Sequence, residues 1–269
     1  MNKYMLLLSI AICNTMLASD FYFPAGASSG ALSHATVGDF DFWSVINNPS
    51  FTARYEKPEV GINYESRFAL KELSVSSVGL VYPVSTGTVF SSFQHFGYSV
   101  YHEIRFGMGY SRTFGDKFGA AVQFNLLAFR PDPETKELYT FSADVSLNAK
   151  LTDNLDLGFN LINIPSSKFE NDVGTQVPVR YRFGLNWKLS GSFRVLTEIS
   201  GKNGDRPDIR CGISYELIEN FNFSAGVASY PLAVSAGISY SKWNLHPGVS
   251  CAMIRQIGKI WNCSVSYVF

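Results

Sequence analysis

The sequence predicts an all-β fold: an antiparallel transmembrane β-barrel of about fourteen strands with a short N-terminal plug. Three observations predict it. Only 16% of the 269 residues are charged, against about a quarter in an ordinary soluble domain, so something other than water solvates much of the surface. From about Glu59 onward, bulky apolar residues alternate with small or polar ones at the period of strands with two unlike faces. The last residues repeat that alternation and finish on an aromatic side chain, Phe269. The 22 basic and 22 acidic residues cancel, which removes the broad attraction that drives nucleic-acid binding.

Residues 1–19 read as a signal peptide. Lys3 precedes the apolar run Met5 to Ala18, and the small residues Ala18 and Ser19 offer a cleavage site before Asp20. The run is too short for a membrane-spanning helix, and Asn14 and Thr15 interrupt it. Cys13 follows Ile12 inside the run, which is not the setting of a lipid-acceptor cysteine. The remaining Cys211, Cys251 and Cys263 are widely spaced and flanked by alternating apolar residues, so they read as small apolar side chains on strand faces.

Residues 20–58 lack strand alternation. Gly26-Ala27-Ser28-Ser29-Gly30-Ala31 can pack closely, and Phe40, Phe42, Trp43, Val45 and Ile46 would be wastefully exposed on a free tail. A compact plug inside a lumen suits both features. Its expected key residues are Asp39, Asp41, Trp43, Asn47, Asn48 and Pro49, with Asp39 or Asp41 capping a short helix that Pro49 stops.

Residues 59–269 divide into strands expected to begin near Val60, Leu73, Thr88, Ile104, Phe118, Leu138, Leu155, Val179, Phe193, Ile209, Phe221, Leu232, Leu245 and Lys259. An even count suits a single-chain outer-membrane barrel. Two long uncharged stretches, Leu73 to His102 and Phe221 to Ser241, confine their bulk to alternate residues, so each is a hairpin and not a membrane helix. A soluble sandwich would carry many Lys and Glu on its polar face, whereas here that face is largely Gly, Ser, Asn and Arg, as in an enclosed lumen. Pro165 to Val177 is the one longer polar connection, a candidate external loop or lid. On the final strand, Trp261, Tyr267 and Phe269 are expected to form the signal read by the barrel-assembly machinery.

Charges facing lipid at mid-membrane cost about 2 to 4 kcal/mol each. The polar faces therefore place Glu65, Arg67, Arg105, Arg180, Arg182, Arg194, Glu198, Arg210 and Glu216 inward, as a network holding the plug through Asp39 and Asp41 or as a path for an anionic headgroup. No metal, cofactor or catalytic residue is expected, because neither a ligand cluster nor a G-x-S-x-G elbow occurs and only four His are present.

The Gly-Ala stretch, the acidic residue after it and Trp43-Ser44-Val45-Ile46-Asn47-Asn48-Pro49-Ser50 resemble the N-terminal hatch of the FadL-type outer-membrane channels and their PorV and PorQ relatives in type IX secretion. The Gly-rich hairpins, the His246-Pro247 strand and the terminal Phe fit the same superfamily, while Asn48-Pro49-Ser50 replaces its usual Asn-Pro-Ala. The resemblance implies a non-enzymatic channel in the outer membrane of a Gram-negative cell, handling small hydrophobic or amphipathic molecules. It leaves open an accessory barrel acting through secretion-system proteins. Outer-membrane lipid and the barrel-assembly machinery are partners under either reading.

Overall fold

The computed structural model describes residues 21–169, 175–203 and 205–269; the expected signal peptide lies outside the described residues. Fourteen antiparallel strands close into one barrel. They are β1 (Glu59–Arg67), β2 (Leu70–Val84), β3 (Gly87–Gly97), β4 (His102–Phe114), β5 (Phe118–Arg130), β6 (Leu138–Thr152), β7 (Leu155–Ile164), β10 (Arg180–Lys188), β11 (Phe193–Lys202), β12 (Asp208–Ile218), β13 (Phe221–Ser229), β14 (Leu232–Tyr240), β15 (Leu245–Ile254) and β16 (Gly258–Val268). Every expected start falls within three residues of an observed one. The uncharged stretches are the hairpins β2–β3 and β13–β14. Within the 165–179 connection, β8 (Ser167–Lys168) and β9 (Gln176–Val177) form a small separate hairpin that alternation did not reveal, because two-residue strands carry no period.

Closure runs from Glu59 opposite Val268 to Arg67 opposite Ile260. Both ends of the strand-forming region therefore lie at one rim, the terminal rim. Connections there span two to four residues, while those at the opposite rim reach fifteen in 165–179. Alternation separates the two faces as burial requires. Ile62, Tyr64, Phe106, Met108, Phe124 and Phe141 are exposed outward, while Asn63, Gln94, Arg105, Asn125, Asp144 and Glu198 are buried inward. An apolar exterior around a polar lumen is the inverse of a soluble domain and the arrangement of a membrane barrel.

The lumen is filled by residues 21–58. They form α1 (Ala27–Ala31), α2 (Ser44–Asn47) and a 3-10 helix (Pro49–Arg54). α1 packs on β13 to β16, and the 3-10 helix packs on β3 to β6 across the barrel. The apolar core lies between this segment and the inner wall, where Phe42, Trp43, Val45 and Ile46 cluster with Val81, Phe90 and Ile162. Full burial of each such side chain contributes roughly 1.5 to 3 kcal/mol, which explains why a segment without strands is held at all.

Two glycines show how close the approach is. Gly26 adopts φ +99°, and a Cβ there would stand 2.3 Å from the Trp43 ring; at Gly158 a Cβ would stand 1.7 Å from the carbonyl oxygen of Val37. The expected helix cap is corrected. Trp43 occupies the N-cap position of α2 without a side-chain cap, because the carboxylates of Asp39 and Asp41 are engaged elsewhere. Pro49 starts the 3-10 helix, where the side chain of Asn48 accepts from Ser50 N–H and Pro costs no hydrogen bond.

Candidate functional site: the lumen clamp and the terminal vestibule

The clamp centres on Arg182 of β10 and Glu198 of β11, adjacent inward positions joined by Nε to Oε1 at 2.7 Å and Nη2 to Oε2 at 2.8 Å. Each holds the inner segment by its backbone. Glu198 Oε2 accepts from the N–H groups of Thr36 and Val37 at 3.0 and 2.9 Å. Arg182 donates to the carbonyls of Asn47 at 2.7 Å and His34 at 3.2 Å, and to the Tyr22 hydroxyl. A buried charge is tolerable only when paired and hydrogen-bonded, and here both conditions hold. His34 lies close to this cluster, and burial followed by the nearby arginines Arg210, Arg67 and Arg182 holds its pKa well below the usual imidazole value.

The other expected charges take distinct places. Arg105 pairs with Asp144 and donates to Asn163 and the Phe21 carbonyl. Arg67 pairs with Glu65 at 2.6 Å and lies over the rings of Phe23 and Phe96. Arg210 binds Asp208 at 2.6 Å and stands 4.0 Å from Glu198. Arg180 is half-buried on the inward face of β10. Glu216 accepts from Asn220 N–H at the terminal rim, away from the clamp.

Asp39 meets Arg194 at 2.5 Å and Asn186 at 3.1 Å. Asp41 departs from the expected arginine contact, as it has no ion pair among the described residues and accepts instead from the Ser28 hydroxyl. Asn47 holds Ala25 through both N–H and carbonyl, and Asn48 donates to the carbonyls of Val37 and Leu147. Trp43 stacks edge-on against Phe42 with ring centroids 5.0 Å apart. On the last strand, Trp261 and Tyr267 face outward, and exposed Phe269 stacks edge-on against Tyr267 while its N–H donates to Pro58.

Sequence reasoning missed further acidic members of this network, Asp144 and Asp156 among them. Asp156 receives Arg54 at 3.2 Å and Lys188 at 3.1 Å, and Asp144 receives Arg105. Their signal was present, since Ser142, Asp144, Ser146 and Asn148 alternate inward along β6.

At the rim with the long connections, Phe21, Phe129, Phe169 and Val177 pack together over the start of the inner segment. At the terminal rim the segment leaves space. A cavity of about 370 Å³ opens there, lined by Phe40, Asp41, Trp43, Tyr55, Arg194 and His246 among others. A second, of about 400 Å³, adjoins it through Arg194 and Asn222. The wall beside the first cavity is incompletely laddered, because the β14–β15 ladder ends at Ser239 opposite Gly248, His246 and Pro247 pair only with β16, and beyond them only the isolated bridge of Leu245 to Lys242 remains. Burial, then the nearby Asp39, raises the Asp41 carboxyl to about 7.

Neither a protein-family model nor a curated protein matches the sequence. Solved structures do match. The Pseudomonas putida toluene transporter TodX aligns with a TM-score of 0.67 at 12% identity, covering 93% of this chain and 99% of its own. A Pseudomonas aeruginosa FadL homologue aligns at 0.65 and 11% identity, with the same coverage. The Ralstonia pickettii toluene transporter TbuX aligns at 0.65 and 10% identity, covering 92% and 98%. Such low identities speak to architecture alone, and the architecture is plain: this chain has the fold of the FadL-type outer-membrane channels.

Proposed function

We propose that the protein is a non-enzymatic outer-membrane channel for small hydrophobic or amphipathic molecules, in which residues 20–58 are the plug. The observation that carries this reading is the clamped inner segment, which fills the lumen yet leaves the terminal vestibule open. Short connections at the terminal rim and longer ones opposite support a periplasmic terminal rim, the usual orientation of such barrels. Residues 1–19 then act as the export signal, and Trp261, Tyr267 and Phe269 serve recognition by the barrel-assembly machinery. The fold shared with two toluene transporters supports a small apolar cargo.

Reconstituted proteoliposomes test the reading. Toluene should equilibrate across them faster than across protein-free vesicles, and cells expressing the protein in their outer membrane should accumulate it faster than deletion cells. No acceleration in either system, together with recovery of secretion proteins bound to native outer-membrane protein, would replace the channel by the accessory-barrel reading.

A further inference from the structure

The terminal vestibule has its own chemistry. Its volume of about 370 Å³ falls within the roughly 300 to 1,000 Å³ range of small-ligand sites. One side is aromatic, with Phe40 presenting 44% of its surface above Tyr55, which stacks edge-on against it at 5.3 Å, and with Trp43 and Tyr240 nearby. The other side is polar and carries four ionisable groups: Asp41, Glu59, Arg194 and His246.

The charges do not balance among themselves. Arg194 is already held at 2.5 Å by Asp39, and His246 stands 3.3 Å from Glu59. Asp41 has the Ser28 hydroxyl and the Ser44 backbone N–H against it, with Arg194 farther off, and makes no ion pair among the described residues. Burial and Asp39 together raise its carboxyl to about 7, the mark of a carboxylate in want of positive charge. An anion on Arg194 would share that guanidinium with Asp39 and face the carboxylates of Asp41 and Glu59 across the cavity. A purely apolar molecule would strip water from the polar side and return nothing. A cation satisfies both walls, because an ammonium group pairs with a carboxylate and is attracted to the faces of aromatic rings.

We propose that the vestibule binds a small primary amine in its protonated form, with the ammonium on Asp41 and an apolar body against Phe40, Trp43 and Tyr55. This deepens the channel reading by naming a cargo class, and rests on it only for access from the periplasmic side.

The test uses the purified full chain in lipid nanodiscs with 2-phenylethylamine as probe, by isothermal titration calorimetry about one pH unit above the Asp41 transition. Saturable binding with one site is expected, and the neutral isostere 2-phenylethanol should bind about tenfold more weakly. Asp41→Asn should weaken the amine about tenfold and leave the alcohol unchanged. Because Asp41→Asn could disturb the plug, Phe40→Leu provides a second variant at an exposed ring; it should weaken the amine several-fold by removing the π face while keeping apolar contact. Equal affinity for amine and alcohol, preference for phenylacetate, or unaltered amine binding in both variants would overturn the proposal. Toluene needs neither the π face of Phe40 nor a charged partner, so loss of amine binding in Phe40→Leu with intact toluene flux in proteoliposomes leaves the channel reading standing, and the converse result separates them equally well.

Discussion

Arg182 and Glu198 form a two-pronged ion pair inside the barrel, and each partner also grips the backbone of the inner segment, Glu198 at Thr36 and Val37 and Arg182 at His34 and Asn47. Side chains of the wall thus bind main-chain groups of the plug. That arrangement depends on the path of the segment more than on its residue types, and it yields the first prediction.

Arg182→Met should release residues 21–58 from the lumen. The substitution leaves the buried Glu198 carboxylate with only the more distant Arg210, 4.0 Å away, as counter-charge, a loss approaching the about 3 to 5 kcal/mol of a broken buried pair. Limited proteolysis in detergent should cut the segment rapidly, and single-channel conductance should rise. The double change Arg182→Met with Glu198→Leu should be milder than Arg182→Met alone, since no lone charge remains. Equal damage by both would mean that the pair's packing, and not its charge, holds the segment.

Docking of the segment should weaken as pH rises from about 4 to about 7. Below the ordinary carboxylate range, near 3.9, Asp41 is protonated whether the segment is docked or released. Between that range and about 7 the released carboxyl ionises while the docked one, facing Asp39, Ser28 and Arg194 with Glu59 and His246 across the cavity, does not. Above about 7 this group adds nothing further. Hydrogen exchange of residues 40–47 across that window checks it, and Asp41→Asn should flatten the profile; an unchanged profile in that variant would assign the effect to another group.

Gly158→Ala should separate the barrel from its contents. The added Cβ would meet the Val37 carbonyl at 1.7 Å, and overpacking of this kind costs about 1 to 3 kcal/mol or more. Heat-modifiable gel mobility should report a normally closed barrel, while trypsin should reach Arg54, which is shielded in the docked segment. Protection equal to that of the parent would show that the wall yields at β7.

Phe269→Ala should lower the yield of assembled protein without lowering the stability of what assembles. The ring is 64% exposed, so little burial is lost, and the strand is anchored through the backbone N–H of residue 269 on Pro58. Folded fraction in native outer membranes, compared with the urea midpoint of the purified variant, distinguishes the two effects. A fall in the midpoint with normal membrane yield would make Phe269 an ordinary strand residue.

The strands were legible because one physical demand, lipid outside and polar groups inside, acts on every alternate residue, so that runs such as Tyr181, Phe183, Leu185 and Trp187 declare their face without any knowledge of partners. The inner segment was legible only as something that must be covered: Phe42, Trp43, Val45 and Ile46 demanded burial, but nothing local said against what. Asp39 and Asp41 illustrate the limit. They are two residues apart and chemically identical, yet one meets Arg194 and the other a serine, a difference set by strands about 150 residues away. Acidic wall residues such as Asp156 were overlooked for the same reason, since a lone carboxylate on a strand acquires its meaning from Arg54 across the lumen.

The long reach of those contacts has a consequence for timing. Residues 21–58 precede every strand, yet the groups that hold them come late: Glu198 lies 161 positions beyond Val37, and Ser264 lies 237 beyond Ala27. Contacts so distant in sequence must first meet the entropy of closing a very long loop, which makes them the slow ones to form. The first stretch to arrive is therefore the last to settle. Its aromatic residues Phe42 and Trp43 can meet Val81, Phe90 and Ile162 once β2, β3 and β7 are in place, but the grip of Glu198 and Ser264 on its backbone has to wait for β11 and β16.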